Sequence, residues 1–430
     1  MKIGGVFYCQ IRFKPSYSIP ISGRKIIMKT NRRHFMKAGM AMSTALLADS
    51  ALAQDTTLIP SRGPGEMIDS SVTYADRSPF VKDAKMRGSA NGLSGGGFTP
   101  LQHSRGMVTP SGLHFEVHHS GVPEIDPSEH KLLIHGLVDD EKIFTMEDLL
   151  RFPSVSHFHF LECAGNGMGE WMGPRGKTVQ QTHGLTSCSE WTGVPLKVLL
   201  NELGVRGDPK WLLAEGDDGA RMTRSIPIWK AMDDAFLAYA QNGEFLRPEQ
   251  GFPLRLIVPG FEGNMNVKWI RRLEVGDKPW WTHHENTEYA DPRPKDEIRA
   301  FSFYMEARSV ITSPSGGMKL NGPGFYEISG LGWSGAGTVS KVEISTDDGK
   351  TWQGASLQGP VLPKCHTRFT HPWRWDGKET TILSRCTDDT GYTQPTYDEM
   401  YKLQGPIGMM HNNAIQKWHV AQDGEITNVR

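Results

Sequence analysis

The chain has 430 residues, and its 47 Lys and Arg residues nearly balance 48 Asp and Glu residues, so the formal net charge is −1. This length suits two or three domains with sizeable cores. The balanced charge excludes the basic excess that is typical of proteins that bind nucleic acids. After the N-terminal region no run reaches the ~20 apolar residues that a membrane span needs. The 47 Gly and 27 Pro residues indicate a globular chain with many turns.

The N-terminal segment has the features of an export signal. Residues 1–53 contain nine basic residues and one acidic residue, and Arg32-Arg33 precede an uncharged run that ends in Ala51-Leu52-Ala53. This pattern predicts a twin-arginine signal peptide, which exports folded proteins to the periplasm, often with a complex cofactor already bound. A short amphipathic helix is the alternative interpretation. Residues 1–27 precede a signal of normal length, so Met28 is an alternative start.

The residues after the signal predict a loop-rich arm and then an α+β domain. Residues 54–105 are rich in Gly, Ser and Pro, which predicts an extended arm. From residue 106 to residue 300, short strands and helices alternate. A capping box predicts a helix that starts at Thr145, and a proline at the first helical position predicts one that starts at Pro195. In chain order, the predicted elements are a strand at 132–138, helices at 145–152, 195–203 and 228–241, and a strand at 252–258.

From residue 301 to residue 430 the pattern changes to short strands. Asp348-Gly349 predicts a hairpin turn, and helical periodicity is nearly absent. The predicted strands are 325–328, 341–345 and 380–383. The sequence therefore predicts an α+β domain followed by an immunoglobulin-like β-sandwich.

The cysteines exclude several kinds of site. There is no Cys-x-x-Cys pair for a zinc ribbon or a thioredoxin, and no Cys-x-x-Cys-His for covalent haem. In an oxidising compartment Cys365 and Cys386 are a candidate disulfide in the sandwich. Cys163 differs because an apolar strand leads into a turn of small residues, Cys163-Ala164-Gly165-Asn166-Gly167. Such a turn lets a ligand approach a thiolate, which is a soft metal ligand. A buried free cysteine is the alternative interpretation of this spacing.

The motif Glu162-Cys163-Ala164-Gly165-Asn166-Gly167 resembles the signature of the sulfite oxidase family of molybdenum enzymes. Other motifs resemble the family in the same order, and they are Trp191–Leu196, Leu237–Glu244, Gly251–Leu256 and Asn266–Trp269. The sandwich region resembles the dimerisation domain of the family through Val342–Trp352 and Asp388–Pro395. The resemblance covers roughly residues 107–420. Within the family, the chain is most similar to the molybdenum subunits (SoxC) of bacterial sulfane dehydrogenases.

This resemblance implies a molybdenum–molybdopterin cofactor and a set of residues around it. Cys163 is then the thiolate ligand to molybdenum, and Tyr289 is the active-site tyrosine; a solvated loop tyrosine is its alternative interpretation. The residues at family positions that bind the pterin and its phosphate are His119, Asp218, Arg255, Asn266, Val267 and Lys268. An anionic phosphate in a cleft needs such cationic and N–H partners.

The chain departs from the family at the positions that bind sulfite. Three arginines surround the sulfite dianion in sulfite oxidases, and the aligned positions hold Val117, Met168 and Gln404. Each lost charge-assisted contact removes roughly 1.5–3 kcal/mol of binding free energy. The family also has a histidine at the ligand position five residues before Arg255, and in this chain that position holds Gln250. These departures predict that free sulfite is not the main substrate.

The resemblance implies periplasmic oxidation of sulfane sulfur held on the cysteine of a carrier protein. Because the chain has no haem motif, electrons are expected to leave to a c-type cytochrome subunit. The sandwich is expected to form a homodimer, giving an α2β2 assembly. Three alternatives are a sulfite dehydrogenase acting on free sulfite, a methionine-sulfoxide reductase, whose relatives lack the sandwich, and a secreted binding protein without a metal.

Overall fold

The structure, a computed structural model, describes residue 78, residues 80–89 and residues 94–430. The predicted signal peptide, Cys9 and most of the predicted arm lie outside the described residues. The chain divides into two compact units, residues 1–82 and residues 83–430, and both predicted domains fall in the second unit. None of the described helices is long and apolar enough to cross a membrane.

The end of the predicted arm forms strands as well as loops. Met86–Ser89, Gly95–Phe98 and Glu116–His118 make an antiparallel sheet. Glycine is required in the middle strand because a Cβ at Gly96 would lie 2.8 Å from the carbonyl oxygen of Glu116. The third strand leads directly to His119, one of the residues predicted to bind the cofactor.

Two five-stranded sheets and five short helices form the first domain. The first sheet has the strand order Lys142–Thr145, Lys131–Gly136, Ile270–Gly276, Trp211–Gly216 and Thr223–Pro227. The second has the order Glu244–Phe245, Phe236–Gln241, Thr186–Pro195 and Val155–Glu162, with Arg255–Ile257 also paired to Phe236–Gln241. The helices are Met146–Leu150, Val179–His183, Leu196–Leu203, Ile228–Asp233 and His283–Thr287. Both sheets and the helices Met146–Leu150, Leu196–Leu203 and Ile228–Asp233 share one apolar core, which includes Leu132, Leu199, Leu256 and Leu273.

The second domain is a sandwich of two sheets. A hairpin, Asp291–Arg293 with Glu297–Arg299, precedes it. One sheet has the order Arg308–Ser313, Gly324–Trp333, Thr367–Trp375 and Ser356–Gln358. The other has the order Gln353–Gly354, Val339–Ser345, Thr380–Asp388, Lys417–Val420 and Ile426–Val429. The inner faces of the sheets pack Ile328, Val342, Phe369 and Ile382 into one core.

Three helices test the predictions from the sequence. The capping box at Thr145 is confirmed, with Asp148 as its partner. The helix predicted for 228–241 is wrong in its second half, because Phe236–Gln241 is a strand between two others. Pairing on both sides outweighs the helical pattern of this segment. The helix Tyr397–Gln404 was not predicted, although Thr396 and Glu399 form a capping box at its start.

All four described cysteines are free. Cys365 does not pair with Cys386: its thiol donates to the carbonyl oxygen of Phe158 at 2.8 Å, in the first domain. Cys386 instead lies next to Gly332: a Cβ added to Gly332 would be 3.6 Å from the sulfur of Cys386. The candidate disulfide is therefore absent, because the two thiols face different neighbours.

Candidate active site

Cys163 lies at the start of a tight turn after strand Val155–Glu162. Its backbone N–H donates to the carbonyl oxygen of Leu185 at 3.0 Å, and its own carbonyl oxygen accepts from Asn166 N–H at 2.9 Å. Gly167 has a left-handed φ of 80°. A Cβ on Gly167 would lie 2.5 Å from a guanidinium nitrogen of Arg308, so this turn needs glycine for both conformation and space.

The sandwich holds this cysteine turn through Glu162. The Glu162 carboxylate accepts from Arg308 at 2.7 Å and from the Trp333 indole N–H at 2.6 Å, and both donors belong to the sandwich. It also accepts from the Asn166 amide at 2.8 Å. Glu162 and Arg308 are almost fully buried. The residue next to the cysteine is thus fixed by buried, charge-assisted hydrogen bonds.

The eight residues predicted for the site line one cavity. Arg255 lies on a strand of the second sheet and the other seven lie in five loops, yet the fold brings them together. They are His119, Cys163, Asp218, Arg255, Asn266, Val267, Lys268 and Tyr289. Val117 and Gln250, which stand where the family has an arginine and a histidine, line the same cavity.

Tyr289 is buried and is held from two sides. Its hydroxyl shares a hydrogen bond of 3.2 Å with Nε2 of His119. The Arg224 guanidinium lies 4.5 Å from the centre of its ring. Burial raises the pKa of the Tyr289 hydroxyl well above its usual value, and Cys163 adds to this shift. Tyr289 is therefore a neutral hydroxyl that can donate a hydrogen bond in the cavity, and the solvated-loop interpretation is wrong.

A buried charge network lies behind Tyr289. Arg224 donates to Glu285 and to Glu262, at 3.0 Å each. His411 donates to Glu262 at 3.1 Å and lies 3.7 Å from Glu306. Burial alone would lower the pKa of His411, but its two carboxylate partners outweigh burial and raise it to about 10. The network thus pairs each cation with carboxylates.

Two basic side chains, Arg255 and Lys268, also line the cavity. Arg255 donates to the carbonyl oxygens of Gln250 and Asn266 at 3.0 Å each, and burial lowers its pKa to about 9. Lys268 donates to the carbonyl oxygen of Val117 at 2.9 Å, and burial, then the charge of Arg255, lower its pKa well below the usual value. Two desolvated cations side by side favour an anionic ligand.

The remaining predicted residues form the cavity wall mainly through structural contacts. The Asp218 carboxylate accepts from Met222 N–H at 3.0 Å. The Asn266 amide accepts from Val258 N–H at 2.7 Å and donates to the carbonyl oxygen of Glu262. Val267 packs into the core of the first domain.

The residues present fit a molybdopterin with a metal at Cys163. Burial raises the pKa of the Cys163 thiol to about 11, so the thiolate needs a bound cation in place of its proton. Two buried nitrogens of the lining, Nε of Arg255 and Nε2 of His114, have no hydrogen-bond partner within the described residues. Nε of Arg255 and the Lys268 side chain are donors for an anionic ligand. Nδ1–H of the neutral His114 donates to the carbonyl oxygen of Phe115, so its Nε2 can accept from an N–H group of a pterin.

The positions that replace the family arginines carry no charge. Met168 is 39% exposed and follows the cysteine turn. Gln404 is buried, and its amide group lies 2.9 Å from the carbonyl oxygen of Met410. The Gln250 amide donates to the carbonyl oxygen of Phe115 at 2.9 Å. Sequence reasoning missed the charge network and the contacts of Met410, because they depend on packing between distant segments.

Two family models match the chain. The oxidoreductase molybdopterin binding domain matches residues 119–284, and the Mo-co oxidoreductase dimerisation domain matches residues 299–421. The first match covers seven of the eight predicted site residues, since Tyr289 follows it. The second covers nearly all of the sandwich.

Several known proteins are similar to the chain. Mitochondrial sulfite oxidase of Rattus norvegicus is 30% identical over 342 residues, which is 73% of this chain and 61% of that protein. Nitrate reductase [NADH] of Solanum lycopersicum is 32% identical over 364 residues, which is 73% of this chain and 38% of that protein. The chain therefore spans under two thirds of the length of these relatives. The crystal structure of the sulfane dehydrogenase SoxCD from Paracoccus pantotrophus matches with a TM-score of 0.83 at 44% identity, covering 85% of this chain and 95% of that chain.

The chain belongs to the sulfite oxidase family of molybdopterin oxidoreductases. It is a molybdenum-dependent oxidoreductase whose cofactor is molybdenum–molybdopterin, and it is structurally close to SoxC of the sulfane dehydrogenase SoxCD. The α+β domain followed by a dimerisation sandwich is confirmed.

Proposed function

We propose that this enzyme oxidises sulfane sulfur carried on the cysteine of a partner protein, and that it works in the periplasm. Cys163 is the metal ligand, and Tyr289 with His119 orients the reacting group. The pterin and its phosphate bind along Arg255, Lys268 and His114. The cofactor supplies oxygen transfer to sulfur and accepts two electrons.

One observation carries the choice of substrate. The three cations that contact the cysteine turn or Tyr289 are already bonded to buried carboxylates: Arg308 to Glu162, Arg224 to Glu262 and Glu285, and His411 to Glu262. Val117, Met168 and Gln404 bring no further charge. A sulfite dianion would therefore lose its hydration without gaining an uncommitted cation among these groups. A weakly hydrated sulfane sulfur does not meet this cost.

Each turnover must balance its atoms and electrons. A sulfane sulfur R–S–SH and one water give R–S–S–OH, two protons and two electrons. The chain has no haem motif, so we assign the electrons to a c-type cytochrome subunit. The similar sulfane dehydrogenase is named SoxCD for two components, which supports a similar partner for this chain. The family model of the sandwich supports a homodimer and hence an α2β2 assembly.

Kinetics with two sulfur compounds test this function. The purified enzyme, with a c-type cytochrome as acceptor, is given free sulfite or a peptide that carries a cysteine persulfide. The expected result is a higher kcat/KM for the persulfide peptide. Turnover of sulfite alone would sink the proposal and favour a sulfite dehydrogenase.

Metal analysis tests the ligand separately from the substrate. One molybdenum per chain is expected in the enzyme, and Cys163→Ala should lose the thiolate-to-metal absorption band. Cys386→Ala is the matched control, because its thiol is also buried but does not line the cavity. An unchanged spectrum in Cys163→Ala would show that another group binds the metal. Fractionation of the native host for the protein tests the periplasmic location.

A further inference from the structure

Asn264 lies on a turn that packs against the cysteine turn. Gly263–Met265 forms a single turn of 3₁₀ helix. A Cβ at Gly263 would lie 2.8 Å from the carbonyl oxygen of Glu162 and 3.3 Å from Cα of Cys163, so this close approach requires glycine. Asn264 is the next residue, and it lines the same cavity as Cys163. The side chain of Asn264 therefore starts at the end of the cavity where Cys163 lies.

The residues after Asn264 are committed to the fold. Met265 is fully buried in the core of the first domain. The Asn266 amide accepts from Val258 N–H at 2.7 Å and donates to the carbonyl oxygen of Glu262 at 3.1 Å. The backbone on both sides of Asn264 is thus held by packing and hydrogen bonds, which gives its side chain a fixed starting point.

The amide of Asn264 is left without a hydrogen bond. Its Nδ2 and Oδ1 are both buried, and neither has a hydrogen-bond partner in the part of the chain that the structure describes. Burial would raise the pKa of the Glu262 carboxyl, but the Arg224 charge and, more weakly, the Asn264 amide lower it. The amide thus faces Glu262 but forms no hydrogen bond with it. A buried amide without a partner destabilises a fold, so its place in the cavity indicates a ligand that supplies the missing hydrogen bond.

We propose that Asn264 is a further substrate-binding residue, whose uncharged amide forms hydrogen bonds with the sulfane sulfur group R–S–SH beside Cys163. This inference rests on the proposed function and adds the residue that holds the substrate. Asn264 lies two residues before the motif Asn266–Trp269, so the likeness to the family did not reveal it.

An amide suits this substrate better than it suits sulfite. It offers a donor and an acceptor without a charge. The S–H group of R–S–SH can donate to Oδ1, and its sulfur can accept from Nδ2–H. An oxyanion without a proton can use only the donor, and it also meets the charge of Glu262 behind the amide. The side chain therefore selects a neutral group that carries a proton.

Two variants remove the amide and test this role. Asn264→Leu replaces it with an apolar group of similar size, and Asn264→Ala removes it without adding bulk. For the cysteine-persulfide peptide, with a c-type cytochrome as acceptor, each variant should lose about tenfold in kcat/KM, the factor that one hydrogen bond of ordinary strength contributes. The loss should fall mainly on KM, because the amide binds the substrate before the reaction. The kcat/KM for sulfite should stay within about threefold of the wild-type value, since sulfite does not use the acceptor.

A binding measurement gives a readout without turnover. The enzyme is reduced beforehand and freed of reductant, so that it cannot oxidise the substrate, and the probe is a fluorescent peptide that carries a cysteine persulfide. Its Kd should weaken about tenfold in Asn264→Leu. An unchanged Kd would contradict the proposal, even if the rates fall.

Stability separates this role from a structural one. Because the Asn264 amide has no hydrogen bond to lose within the described residues, the thermal midpoint of Asn264→Leu should equal or exceed that of the wild type. Asn266→Leu is the matched control, and its midpoint should fall, since its amide bonds to Val258 and Glu262. An equal fall in both variants, with persulfide binding unchanged, would make Asn264 structural. Loss of molybdenum and pterin from Asn264→Leu, with persulfide binding unchanged, would make it a cofactor ligand instead.

The two failures are distinguishable. If the wild-type enzyme turns over sulfite but not the persulfide peptide, the proposed function is wrong, and so is the role of Asn264 that rests on it. If the wild-type enzyme prefers the persulfide peptide but Asn264→Leu has the wild-type KM and Kd for it, only the role of Asn264 is wrong.

Discussion

At the scale of single residues, a variant of Tyr289 is expected to change the reaction rate without changing the stability of the fold. Tyr289→Phe removes the hydroxyl that bonds to His119 at 3.2 Å but keeps the ring above Arg224. We expect kcat/KM to fall about tenfold, the equivalent of one hydrogen bond of about 1–1.5 kcal/mol. The unfolding midpoint should hardly change. Steady-state kinetics and a thermal melt measure the two effects.

Tyr304→Phe is the control for this variant, because Tyr304 packs on Phe261 and does not line the cavity. It should leave kcat/KM at the wild-type value. Equal losses in both variants would mean that the Tyr289 hydroxyl has no special part in the reaction.

The cysteine turn provides a second test, with two nearby glycines that differ in backbone conformation and in the space around them. Gly167→Ala places a methyl group against Arg308 and forces a non-glycine residue to a φ of 80°. The left-handed conformation alone costs about 1–2 kcal/mol. Gly169→Ala meets no atom within 4 Å and should be neutral. Urea unfolding of both variants checks this, and molybdenum content shows whether the turn still holds the metal. Equal stability of the two variants would contradict the strained-turn interpretation.

At the scale of elements, strand Val155–Glu162 contacts the sandwich through a buried ion pair between Glu162 and Arg308. Glu162→Gln leaves Arg308 buried without its charged partner. Breaking a buried ion pair costs about 3–5 kcal/mol. Arg308→Met should cost a similar amount, and the double variant should cost less than the sum, since it leaves no unpaired charge. A double-mutant cycle from urea unfolding measures this coupling. Strict additivity would show that the two side chains do not depend on each other.

Several elements were predictable because their signals are local. The capping box at Thr145 and Asp148 depends on four consecutive residues. The helix predicted at 195–203 is confirmed as Leu196–Leu203, and the left-handed Gly204 follows it. The helix prediction for the segment 236–241 was wrong, because the conformation of this segment depends on strands 186–195 and 255–257, which pair with it from both sides. Local pattern cannot reveal such partners.

The site residues also divide into those that sequence motifs reveal and those that only contacts between distant segments reveal. Its eight predicted residues were found through motifs that the chain shares with its family, and they surround one cavity. Arg308 and Trp333, which donate to the Glu162 carboxylate, lie 146 and 171 positions after it in the sequence. Neither pattern nor spacing encodes such contacts, so they were visible only in the fold.

At the scale of the whole molecule, the sandwich does more than its family name as a dimerisation domain implies. Arg308 and Trp333 bind the residue before Cys163, and the segment 410–412 contacts Ala164 and Gly167. Loosening the sandwich should therefore disturb the metal site before the first domain unfolds. This coupling makes the buried His411, which belongs to the sandwich, a probe of the contact between the two domains.

The pH dependence of stability reports on His411. Burial opposes its charge, but hydrogen bonds and charges from Glu262 and Glu306 raise its pKa from 6.5 to about 10. Because the folded pKa is raised, the stability from protonated His411 is complete below pH 6.5 and is lost as the pH rises through about 10. Between these values the loss is at most about 1.4 kcal/mol per pH unit.

His411→Gln isolates this contribution, since other groups such as the buried Lys230 titrate in the same range. The difference in unfolding free energy between wild type and His411→Gln should be largest near pH 6 and shrink towards pH 10. Urea unfolding at several pH values gives this difference directly. Asp291 also faces His411: burial raises the pKa of the Asp291 carboxyl, and the charge of His411 lowers it. A difference that stays constant with pH would mean that His411 is neutral in the folded protein, and that Glu262 is held by Arg224 alone.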